Sequence, residues 1–99
     1  MTLRQKQSKF ALMVAKLIQY AYGLGYEVTL GDAYATSGHK KDSNHYIRLA
    51  IDLNLFKDGK FLADGTGHNH LHDYWDDIGG APRILHDMNH YSLEHEGKW

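Results

Sequence analysis

The chain has 99 residues, a formal net charge of -1 and a hydrophobic fraction of 42%. That length supports one domain with one modest core, and the charge leaves no surplus to attract nucleic acid or an anionic membrane. The absence of cysteine excludes a disulfide framework and a thiolate metal site, so any bound zinc must use nitrogen and oxygen ligands.

From Leu3 to Tyr22 the residues Phe10, Met13, Val14, Leu17, Ile18 and Ala21 recur at three-and-four spacing, which predicts an amphipathic core helix. Thr2 or Ser8 suits its start, and Gly23 and Gly25 end it. Arg4, Lys6 and Lys9 before this stretch superficially suggest a signal peptide, but Lys16 and Gln19 interrupt the apolar run. No run approaches the ~18 apolar residues of a membrane span, so synthesis in the cytoplasm without membrane insertion is expected. Tyr26 to Leu30 alternates and predicts a strand, followed by a polar, glycine-bearing loop from Gly31 to Ser43. Arg48 to Phe56 alternates again, with Leu49, Ile51, Leu53 and Leu55 on one side and Ala50, Asp52 and Asn54 on the other. Lys57-Asp58-Gly59-Lys60 signals a hairpin, from which Phe61 and Leu62 begin a return strand.

Helical spacing resumes with His68, Leu71, Trp75 and Ile78, closed by Gly79-Gly80, and Pro82 forbids continuation. His90 to Glu96 reads as a final strand, with Tyr91 and Leu93 on one face. No linker or internal repeat divides the chain, so residues 1–99 are expected to form a single α+β domain. Its small central antiparallel sheet would carry helices packed on one side.

The chemistry concentrates in two segments. In Ser43-Asn44-His45-Tyr46-Ile47-Arg48-Leu49-Ala50-Ile51-Asp52 a histidine ending a polar loop stands seven positions before an aspartate. That aspartate lies in the middle of a strand, against propensity, among small or polar neighbours on its face. A buried carboxylate there needs a cation or strong hydrogen bonds; an exposed aspartate on a solvated face is the bland alternative. The second segment, Asp87-Met88-Asn89-His90-Tyr91, adds a histidine with an acid three residues upstream, which could equally be a turn-forming aspartate. Two histidines, an aspartate and a spare acid make up a mononuclear catalytic zinc site with an open position for water. Two rival metal readings are weaker. His86-Asp87-Met88-Asn89-His90 mimics a helical H-E-x-x-H motif but lacks an apolar stripe. His68-Asn69-His70-Leu71-His72 reads better as a solvated helix start.

Ser43-x-His45-x-x-Arg48-x-Ala50-x-Asp52 resembles the S-x-H-x-x-G-x-A-x-D motif of the zinc D-alanyl-D-alanine carboxypeptidases and L-alanyl-D-glutamate endopeptidases. Asp87-x-x-His90 resembles that family's second motif, an acid shortly before its third zinc ligand. The runs from Arg48 to Gly59 and from Asn89 to His95 look like the short phage endolysins of the family, and the likeness extends from about Tyr26 onward. It implies one Zn2+ ligated by His45, Asp52 and His90, with Asp87 as general base. It further implies a Hedgehog/D-Ala-D-Ala-peptidase-like fold and, as substrate, the peptide stem of bacterial peptidoglycan. A monomer acting on the wall after release is expected, through a holin if the source is a phage. A non-catalytic zinc-stabilised wall-binding domain is the alternative.

Two departures from the family pattern bear on the site. Arg48 replaces the motif glycine, and the family's arginine before the first motif is missing from Tyr34-Ala35-Thr36-Ser37. Arg48 is therefore expected to supply the positive charge toward substrate or oxyanion, a solvated surface arginine being the alternative. Ser43 is expected to order the loop or to bond near the substrate. His39, Lys40 and Lys41 are candidates for touching an acidic stem peptide, or merely for a solvated charged loop.

Overall fold

A computed structural model describes residues 1–39 and 43–99 of the chain. Helix α1 runs over Leu3–Gly23, opened by a reciprocal pair in which the Thr2 hydroxyl accepts from the Gln5 N–H and the Gln5 side chain accepts from the Thr2 N–H. This capping box satisfies donors that the first helical turn leaves free. Thr2, rather than Ser8, is the cap. The strands are β1 (Glu27–Leu30), β2 (Ala50–Lys57), β3 (Lys60–Phe61) and β4 (His90–Ser92), with a second helix, α2 (His68–Asp77), between β3 and β4.

β2 is the centre of the sheet and pairs antiparallel with all three others. β1 lies along one edge, in the register Glu27 to Phe56 through Leu30 to Leu53. β3 and β4 share the other edge: Leu62 N–H donates to the Leu55 carbonyl, and Leu53 N–H donates to the Asn89 carbonyl. The two do not abut, because β3 covers Phe56 and Lys57 while β4 covers Ala50 to Asp52. The hairpin holds Asp58 and Gly59 at φ 53 and 76, the pair of left-handed residues that a tight two-residue turn requires.

The alternation in β2 sorts its two faces. Leu49, Ile51, Leu53 and Leu55 are buried in one core with Phe10, Met13 and Leu17 of α1, Leu71 and Trp75 of α2, and Tyr91 and Leu93. Both helices thus cover the same face, as the sequence predicts for an α+β domain. Trp75 is fully buried, meets Phe10 edge-on at 5.9 Å between ring centroids, and donates from its indole N–H to the Ser92 carbonyl at 2.9 Å. Asp52 and Asn54 occupy the opposite face and are half-buried.

Two expected elements are shorter than the sequence suggests. Arg48 is not in the strand: it sits at φ 58, ending a 3-10 turn over Asn44–Ile47. The final strand stops at Ser92 instead of reaching Glu96, because the chain then turns back in a small bridge between His95 and Lys98.

Candidate metal centre

The 3-10 turn delivers His45. The Ser43 hydroxyl accepts the His45 N–H at 3.3 Å, and the Asn44 amide donates to the carbonyls of Leu93 at 2.7 Å and Lys98 at 3.0 Å. Asn44 therefore ties the turn to the end of β4, and both it and His45 are buried. The left-handed Arg48 then redirects the chain into β2, where Asp52 follows four residues later.

Asp52 and His90 are direct cross-strand partners in the β2–β4 register. Paired residues of an antiparallel ladder project to the same side, so the register alone brings a carboxylate and an imidazole together. The tight end of this strand pair is packed on its other edge by Gly31, whose N–H donates to the Asp52 carbonyl at 2.8 Å. A Cβ at Gly31 would come within 3.1 Å of both the Asp52 Cβ and the Asp52 carbonyl oxygen.

His45 Nε2 lies 3.2 Å and His90 Nδ1 lies 3.6 Å from Asp52 Oδ1. One ligand atom from each of the three residues falls within 4.8 Å of the others. Donors bound at ~2.0–2.2 Å to one tetrahedral ion stand roughly 3.3–3.6 Å apart, so the two distances to Asp52 are close to those of such an ion. The carboxyl oxygen Asp52 Oδ1 is buried and accepts no hydrogen bond. An orphaned buried acceptor is costly, and a cation between the three side chains would remove that cost. Burial opposes ionisation of Asp52, but the two adjacent imidazoles outweigh it and hold the carboxyl well below its ordinary range. The group therefore keeps its negative charge. Together these side chains form a buried His-Asp-His group that could hold a metal ion.

The group opens into a cavity of about 320 Å3 whose wall includes His39, Ser43, Ile84, His86, Asp87 and Trp99. Asp87 is half exposed, and its Oδ2 lies 4.0 Å from His90 Nδ1. A turn fixes it: its N–H donates to the Ile84 carbonyl at 2.9 Å, and its carbonyl accepts from the His90 N–H at 3.1 Å. His39 stacks on the His45 ring at 4.1 Å, and its Nε2 lies 2.9 Å from Asp32 Oδ2.

The structure thus brings together His45, Asp52, His90 and Asp87, with Ser43 beside them. Arg48 points elsewhere: it is exposed, its guanidinium lies 3.8 Å over the Tyr34 ring, and it is not part of the described cavity wall. Lys40 and Lys41 lie outside the described residues. The segment from Ile84 to Asn89 is a turn and not a helix, so His86 and His90 do not share a helical face.

The expectation of a solvated start to α2 is corrected: His68 and His72 are buried. Each has a partner that makes burial tolerable. His68 Nδ1 meets the Tyr91 hydroxyl at 2.6 Å, and His72 Nε2 donates to the Met88 carbonyl at 2.7 Å while its ring stacks on Tyr91 at 4.2 Å. His72 therefore clamps the backbone next to Asp87. Asn44, His72 and Trp99 are site-shaping residues that sequence reasoning missed. Asn44 lies inside the first motif, but nothing in its spacing reveals that it reaches β4.

No family model, curated protein or solved structure matches the chain.

Proposed function

We propose that this protein is a zinc-dependent peptidase that hydrolyses the peptide stem of bacterial peptidoglycan. The observation that carries the reading is the convergence of His45, Asp52 and His90 beside a cavity whose wall includes His45, His90 and Asp87. The sequence likeness to the zinc D-alanyl-D-alanine carboxypeptidases and L-alanyl-D-glutamate endopeptidases supports it by assigning the same four residues. A zinc ion with three protein ligands supplies a water of lowered pKa and a Lewis acid for the scissile carbonyl.

The chain's own residues supply the rest. His45 and His90 bind through Nε2 and Nδ1, which requires both rings neutral. Asp87 takes a proton onto its carboxylate from the attacking water and returns it to the departing amine. The cavity wall orients the peptide across them. In this reading the chain works as a monomer on the wall and is released from the cytoplasm by another protein.

The test is lysis of purified cell walls, followed by turbidity and by the appearance of new amino groups. Chelator should stop it and added zinc should restore it. Asp87→Ala should abolish lysis while binding one zinc per chain. Lysis by Asp87→Ala at the native rate would refute the assignment. Wall binding without released amino groups would favour a zinc-stabilised binding domain.

A further inference from the structure

A metal-binding histidine is ordinarily held in place by a hydrogen bond from its other ring nitrogen. His45 has none: with Nε2 turned to Asp52, its Nδ1 is buried and has no hydrogen-bond partner among the described residues. Two other rings pack against it instead. His90 meets it at a steep angle, with ring centroids 5.1 Å apart, and His39 lies nearly flat against it at 4.1 Å, the planes 14° apart.

His39 is itself held at three points. The Tyr46 hydroxyl accepts from the His39 N–H at 2.9 Å and donates to the His39 carbonyl at 2.7 Å. On the ring, Nε2 lies 2.9 Å from Asp32 Oδ2, within hydrogen-bond distance. The stacked ring therefore has a fixed backbone and a fixed edge. It stands outside the ligand group, with its Nε2 turned to Asp32 and not to the other three side chains.

The far end of that tether reaches a second ligand. The Asp32 carbonyl accepts the Asp52 N–H at 2.9 Å, beside the bond from the Gly31 N–H to the Asp52 carbonyl. The Ala35 N–H donates to the His45 carbonyl at 3.2 Å. One stretch, from Gly31 to His39, thus grips the backbones of both Asp52 and His45. The side chains of Asp32 and His39 span the gap between the two.

We infer that Asp32 and His39 form a brace that fixes the His45 ring relative to Asp52, so that His39 is a positioning residue of the metal centre. The inference rests on the metal site of the proposed peptidase and deepens it. Without the stack the His45 ring can turn about its side-chain bonds, and the three donors no longer meet at one point.

The probes are Zn2+ and Co2+ added to the metal-free full chain. Affinity is read by competition with a chelator, and ligand geometry by the visible absorption of bound Co2+. His39→Ala loses stack and tether and should weaken binding about 10- to 100-fold, with altered Co2+ bands. His39→Phe keeps a flat ring and loses only the tether, so it should lose about 3- to 10-fold, the worth of one hydrogen bond. Asp32→Ala should lose the same amount. The Asp32 side chain is 61% exposed, so the urea midpoint of the metal-free variant should not move. Asp32→Asn keeps an acceptor and should stay within about twofold of native. Because the two residues act as one, the double variant carrying both alanines should bind no more weakly than His39→Ala alone. Native affinity and native bands in His39→Ala, or additive losses in the double variant, would overturn the brace and leave the metal centre standing. A loss beyond about 100-fold in both His39→Ala and His39→Phe would make His39 a ligand, which also overturns the brace. No binding of either metal by the native protein would overturn brace and metal centre together. Binding without hydrolysis of walls would overturn the peptidase alone.

Discussion

Asp52 is the one carboxylate of the group, and everything about its surroundings favours a cation. It sits opposite His90 in the sheet, 3.2 Å from His45 Nε2, with Oδ1 buried and unpaired. Asp52→Asn removes the charge but keeps the shape. Zinc affinity, measured by competition with a chromophoric chelator, should fall by more than the roughly 10- to 100-fold typical of a residue that only supports a ligand. Unchanged affinity would remove Asp52 from the ligand set. Arg48 makes the opposite case. Its guanidinium is spent on the Tyr34 ring and the described cavity wall does not include it, so Arg48→Ala should leave kcat/KM within about twofold. A tenfold loss would restore the role that the sequence likeness suggests. Both histidines, the aspartate and the acid of the candidate site were legible from residue type and order. The reach of Arg48 was not, because a left-handed residue at the end of a 3-10 turn carries no periodic signature and was absorbed into the strand that follows it.

The elements position the site through a few close joints, and the joint between α2 and β4 is the tightest. Gly80 follows α2, where a Cβ would stand 2.0 Å from the Trp75 indole nitrogen. That nitrogen donates to the Ser92 carbonyl, which also accepts from the Ala81 N–H at 2.9 Å. Gly80→Ala must therefore displace a fully buried tryptophan from the hydrogen bond that ties α2 to β4. The expected cost is about 3 kcal/mol, the upper end for overpacking, read as a lower urea midpoint at unchanged slope. A midpoint within error of the native value would show that the turn moves aside freely. The sequence marked Gly79-Gly80 only as a helix stop; the second glycine is there for space. The apolar alternation of β2 and the spacing of α1 were readable because one face of each meets the core. The extent of β4 was not: Leu93 continues the apolar pattern and its N–H still donates to the Leu49 carbonyl at 3.0 Å, but the chain then turns away from β2.

Across the whole molecule, burying histidines makes the fold sensitive to acid. His68 and His72 are both buried. Burial pushes His68 down to about 4 from its ordinary 6.5, and burial likewise lowers His72, against the pull of the Met88 carbonyl. Between pH 6.5 and 4 the unfolded chain then binds more protons at His68 than the folded chain does. Stability is thus complete above pH 6.5 and declines as pH falls through that window. His68 alone should cost on the order of 1–2 kcal/mol between pH 7 and pH 5, from the difference in proton binding. Urea unfolding at the two pH values, with chelator present so that metal release adds nothing, measures the decline. His68→Leu should flatten it by about that amount. An equal acid slope in the variant would mean that His68 takes up its proton without leaving the folded state, and that its link to Tyr91 is looser than 2.6 Å implies.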